Sequence, residues 1–83
     1  DKYHVVKKIP AGEIIETTIR EKSKVAGKRI EEIALPAGSI FIALIKGIHA
    51  KVASANDVID VGDTVFSIVS EKAKKAFLKL VAR

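Results

Sequence analysis

Residues 40 to 47 read Ile40-Phe41-Ile42-Ala43-Leu44-Ile45-Lys46-Gly47, an unbroken apolar run closed by a lysine and a glycine. The run is far short of the roughly 20 residues a membrane-spanning helix needs. Its length and β-branched content predict a strand buried on both faces, placed centrally in a sheet. Downstream, the glycine-containing connection leads to residues 50–54 (AKVAS), which alternate weakly and complete a β-hairpin. Val61-Gly62-Asp63 is a turn signal. It introduces a last strand over 64–69, with Val65, Ser67 and Val69 on one face and Phe66 and Ile68 on the other. Ser70 suits a helix N-cap and Glu71 the first turn. From there Ala73, Ala76, Phe77, Leu80 and Val81 recur at helical spacing, with Lys72, Lys75 and Lys79 on the solvent side.

Upstream of the apolar run, Pro36-Ala37-Gly38 makes a turn. Residues 27–34 are expected to form a short helix with Ile30 and Ile33 inward. Residues 14–20 alternate as a half-exposed strand, with Ile15, Thr17 and Ile19 on its inner face. Residues 1–12 read as a linker or an incoming strand, and 13–83 as one folded unit. The predicted class is α+β: a small, mostly antiparallel sheet in the order β-α-β-β-β-α, with both helices packed on it.

At 83 residues the chain makes one small domain, and a lone copy buries only roughly 60–65% of its unfolded surface. There is no Cys, which excludes disulfides, thiolate metal sites and a cysteine nucleophile. With no Met and a polar start at Asp1, the chain is expected to be a piece of a longer protein. The net charge is +5, but Tyr3, Phe41, Phe66 and Phe77 are the only aromatics, and the three Phe occupy core-like positions. With no recognition motif or exposed stacking ring, nucleic acid is not expected among the partners. The basic stripe of the last helix reads as a solvated face, or as a contact for an acidic partner or anionic membrane surface.

Little in the chain looks like chemistry. His4 and His49 stand in different segments, without carboxylates at metal-ligand spacing. Asp57, Asp60 and Asp63 lack the glutamate that closes a calcium loop, and Asp63 after Gly62 reads as a turn former. The glycines are spaced singly and build no phosphate-cradling loop. The paired carboxylates Glu31 and Glu32 read as surface charge. No serine has a nucleophile-elbow context. No enzyme activity, metal or cofactor is expected.

Four stretches resemble the TrkA C-terminal (RCK_C) domain family. Glu16-Thr17-Thr18-Ile19 with Ser23-Lys24-Val25-Ala26-Gly27-Lys28 looks like the family's opening. Ile30-Glu31-Glu32-Ile33-Ala34-Leu35-Pro36 is similar to its short helix ending in Leu-Pro. Residues 40–47 stand where it has an apolar strand ending in Arg or Lys, and Asn56 to Val65 resembles its D-x-V-I-x-x-G-D-x-V. The likeness spans about residues 13–83.

The resemblance implies a regulatory, ligand-sensing and dimerising domain of a potassium or other cation transport or channel protein. The alternative it leaves is a purely structural dimerisation domain of an anion transporter or antiporter. Implied partners are a second copy, a Rossmann-type nucleotide-binding domain, a membrane transporter subunit and a small anionic or nucleotide ligand. The implied location is cytoplasmic, at the inner face of the membrane. Members that bind cyclic di-AMP tend to carry an Arg between the short helix and the second strand and an Asn just before that strand. This chain has no such Arg, and Ser39 stands near the Asn position. The expected ligand contacts are Ser39 and Ile40 at the start of the apolar strand, with Lys46 for an anionic group.

Overall fold

The computed structural model describes residues 2–83. β1 (His4–Ile9) and β2 (Gly12–Thr18) form a hairpin. β2 lies antiparallel to β7 (Thr64–Val69), β7 to β4 (Ser39–Lys46), and β4 to β5 (His49–Val52). The resulting five-stranded sheet has the order β1-β2-β7-β4-β5. β3 (Lys28–Arg29) and β6 (Val58–Ile59) make a separate two-stranded ladder, and the chain closes on α1 (Lys74–Val81).

The core occupies one face of the five-stranded sheet. Alternation sends Ile15 and Thr17 of β2 and Val65, Ser67 and Val69 of β7 to that side, and a register shift between Phe41 and Ala43 of β4 brings Phe41 and Leu44, three residues apart, onto the same face; all are buried. Phe77 and Val81 of α1 meet them together with Val25 and Ile59, and Phe41 packs edge-on against Phe77 at 6.2 Å. Two glycines are fixed by close approach. A Cβ on Gly12 (φ 142°) would stand 2.1 Å from the Val69 carbonyl oxygen. One on Gly38 (φ 91°) would stand 2.5 Å from Ser70 Oγ.

The small, mostly antiparallel sheet with a C-terminal helix agrees with the sequence, whereas the order β-α-β-β-β-α does not. In place of a helix over 27–34 the chain has a turn, β3 and a single 3₁₀ turn at Ile30–Glu32. The backbone donors of this segment are taken by residues 55–59. Gly27 N–H donates to Ile59 O at 2.6 Å, Ile30 N–H to Asp57 O at 2.9 Å, and Glu31 N–H to Ala55 O at 3.0 Å. Those bonds replace the i to i−4 ladder, and the positive φ of Gly27 (80°) opposes helix entry at the same place. Among the described residues only one α-helix therefore packs on the sheet.

Two further expectations change in detail. β7, not β4, holds the middle of the sheet, and the core lies against the inner face, so Phe66 of β7 is half-exposed on the outer face. The final helix starts at Lys74, after a turn in which Ala73 N–H donates to Ser70 O at 3.1 Å and to Ser70 Oγ at 3.2 Å. Ser70 thus caps a lead-in turn one step before the helix.

Candidate functional site

The expected ligand residues lie on one strand but at its two ends. Ser39 and Ile40 begin β4 and Lys46 ends it, so at about 3.3 Å per residue they are separated by roughly 20 Å. The structure does not bring them into one site.

At the start of β4, Gly38 accepts from Ser70 N–H at 2.8 Å, and Ser39 Oγ donates to Pro36 O at 2.7 Å. These bonds fix where the strand begins. Ser39, Ile40 and Phe41 pair with Val69, Ile68 and Ser67 of β7 on one side. On the other side β5 pairs only with Ala43 to Lys46, and Ala53 N–H reaches Ile42 O at 3.0 Å. Among the described residues Ser39–Phe41 is therefore a stretch with a strand neighbour on one side only, and Ile40 is 57% exposed. Such an edge offers backbone groups to a ligand or to another chain.

At the other end, Lys46 is already engaged. Its Nζ donates to Asp60 at 3.1 Å and to Asp63, whose side chain is nearly buried. Burial pulls the Lys46 ammonium's pKa down, but the hydrogen bonds and negative charge of Asp63 and Asp60 outweigh it and leave the pKa raised. Asp63 also accepts Asp60 N–H at 2.9 Å, closing a turn over residues 60–63. The same device recurs one turn earlier. Asp57 accepts Ser54 N–H at 2.8 Å and Ser54 Oγ at 3.1 Å, and Lys51 of β5 pairs with it. The Lys51 hydrogen bond, followed by that of the Ser54 backbone, holds the Asp57 carboxyl below its ordinary pKa. Lys46 is thus half of a clamp between the β4–β5 hairpin and the following turns, with no free charge for an anion. The sequence carries a trace of these clamps: Ser54-x-x-Asp57 and Asp60-x-x-Asp63 share one spacing.

A third region gave no sequence signal, because its residues lie far apart along the chain. A groove of about 480 Å³ runs between Lys2, Tyr3, Arg20, Leu78 and Ala82. A second one, of about 320 Å³, shares Lys2, Tyr3 and Arg20 and continues to His4, Glu16 and Thr18. Neither groove includes Ser39, Ile40 or Lys46. His4 lies 3.4 Å from Glu16, and His49 is exposed on β5. Among the described residues no group of His, Asp or Glu could hold a metal ion, and no helix is long and apolar enough to cross a membrane.

Residues 14–82 match the TrkA-C domain family. The chain belongs to that family. The match covers the ladder, the clamps, β4 and α1, so the regulatory role of TrkA-C domains in ion transport applies to this chain at that level. Among solved structures the domain is similar to S. agalactiae BusR in complex with its busAB-promotor DNA, with 25% identity and a TM-score of 0.65. The similarity covers 93% of this chain and 40% of the BusR chain, so the domain spans less than half of that protein.

This likeness corrects the expectation that nucleic acid is absent from the partners, since the similar structure is itself a complex with promoter DNA. The expectation relied on missing aromatics and motifs. Phosphate contacts need neither, only cations, and this chain carries a net charge of +5.

Proposed function

We propose that this TrkA-C domain is a cytoplasmic sensing and dimerisation module of a potassium or other cation transport system, acting by binding rather than catalysis. The observation that carries it is the one-sided stretch Ser39–Phe41 of β4, with Ile40 exposed beside it. A small anionic or nucleotide ligand docking there would use backbone groups of β4 and the Ile40 side chain, and would favour one arrangement of two protomers. Differential affinity for two arrangements is what lets a ligand shift the linked transporter. Lys46 takes no part, because its charge is engaged within the fold.

A thermal-shift screen of nucleotides, cyclic dinucleotides and divalent ions tests this. A ligand that raises the midpoint, with the rise abolished in Ile40→Asp and kept in Lys46→Met, supports it. No rise from any compound leaves only a structural dimerisation domain.

A second reading is favoured by the BusR likeness: the domain works inside a DNA-bound regulator of transport genes. Duplex DNA binding to the longer protein, weakening steeply with salt, would support it. Salt-insensitive or absent binding would remove it.

A further inference from the structure

The larger groove, between Lys2, Tyr3, Arg20, Leu78 and Ala82, sets two cations against an apolar wall. Elsewhere in the fold Arg29, Lys46, Lys51 and Lys74 each pair with a carboxylate. Lys2 and Arg20 are both exposed, line both grooves, and pair with none among the described residues. No described carboxylate lines the larger groove, and Glu16 in the smaller one already faces His4 at 3.4 Å. Across from the cations, Tyr3, Leu78 and Ala82 are half-buried, with Tyr3 and Leu78 packed against the core.

Each wall is held by bonds within the fold. Ile19, just before Arg20, is buried, donates its N–H to Asp63 O at 2.8 Å and accepts Gly62 N–H at 2.8 Å. The last turn of α1 is tied to the segment after Arg20, because Lys24 N–H donates to Leu80 O at 3.0 Å. On the third side Lys74 Nζ lies 5.5 Å from the centre of the Tyr3 ring and is itself held by Glu13 at 2.8 Å. Walls fixed in this way lose little freedom when a ligand docks. Lys2 and Tyr3 precede the matched residues 14–82, so the TrkA-C domain alone does not build this groove.

We infer that the groove binds a small amphipathic organic anion, an aryl or short-chain carboxylate or phosphate. Its charged head sits between Lys2 and Arg20, and its apolar body lies against Tyr3, Leu78 and Ala82. Concave walls of low polarity focus the field of the two cations, which favours an anionic head. A bare anion leaves the apolar wall wet, and a neutral apolar molecule leaves the two like charges unrelieved. The volume of about 480 Å³ suits one ring or a short chain with its head group. This site is separate from Ser39–Phe41 of β4 and does not depend on a ligand binding there.

The test titrates phenyl phosphate into the isotope-labelled chain and follows the backbone amides by NMR. Inorganic phosphate serves as the head alone and benzyl alcohol as the body alone. Shifts at Tyr3, Arg20, Leu78 and Ala82 should saturate with a Kd below about 1 mM. Either control should bind at least about tenfold more weakly, since each lacks one half of the contacts. Lys2→Gln and Arg20→Gln change exposed side chains, so the fold survives, as circular dichroism would verify; each should weaken phenyl phosphate by at least about threefold. Lys75→Gln removes the same charge from an exposed position outside the groove and should leave the affinity unchanged. Equal weakening by Lys75→Gln would mean diffuse attraction to a basic surface and would overturn the site. Inorganic phosphate binding as tightly as phenyl phosphate would overturn the amphipathic ligand. Shifts confined to Ser39–Phe41 would overturn the groove and support the β4 reading alone. No saturation by about 10 mM phenyl phosphate would overturn the groove and leave the β4 reading to its own screen.

Discussion

Lys46 at the end of β4 is paired with Asp63, seventeen residues further along, and Asp63 in turn closes its own turn by accepting Asp60 N–H. The carboxylate thus serves the hairpin and the turn at once, in a nearly buried position. Asp63→Ala should remove both and leave the Asp60 N–H without its acceptor, costing about 1–3 kcal/mol. Lys46→Met should cost less, since a third of the lysine is exposed and its stem still packs. Urea unfolding of both variants checks the order.

Gly12→Ala should be more damaging than its size suggests. The added methyl would meet the Val69 carbonyl at 2.1 Å, at a backbone φ of 142° that an L side chain rarely adopts. A loss of more than about 1 kcal/mol is expected, with β1 and β2 losing amide protection first.

Thr17 Oγ1 and Ser67 Oγ are both buried on the inner face without a hydrogen-bond partner. Thr17→Val and Ser67→Ala should therefore leave thermal stability unchanged or raise it, because each removes an unsatisfied polar atom. A marked fall in either midpoint would mean that the hydroxyl has a partner in solution.

Stability should form a plateau across neutral pH. The folded pKa of Asp57 is depressed, so its contribution is complete above the ordinary value of 3.8 and is lost as pH falls through the folded value. The pKa values of Lys46 and Lys74 are raised, the latter by the hydrogen bond from Lys74 to Glu13, so their contributions are complete below 10.5 and lost as pH rises through the folded values. Urea midpoints measured against pH should fall at both ends, and Asp57→Asn should flatten the acid limb.

The parts of the fold legible in the sequence are those governed by local periodicity. In β7 the alternation of Val65, Ser67 and Val69 with Phe66 and Ile68 matches the buried and half-exposed sides. In α1 the spacing of Phe77 and Val81 matches the buried stripe. The start of β4 was legible too, because Pro36-Ala37-Gly38 breaks the chain just before Ser39. Residues 27–34 were not, since their helical spacing was overridden by hydrogen bonds to residues 55–59, which no local pattern encodes. The pairing of Lys46 is hidden for the same reason: the aspartates that engage it are brought close only by the turn after β6. The apolar composition of β4 reads as a strand buried on both faces, yet the core covers its inner face, because local composition does not say how many layers pack on a sheet.

The most direct test of the account is a backbone amide NMR titration of this domain with the same nucleotides and cyclic dinucleotides. The account predicts shifts at Ser39, Ile40 and Phe41, with Lys46 and Gly47 at the far end of β4 unmoved. Shifts centred on Lys46, or none with any compound, would contradict it.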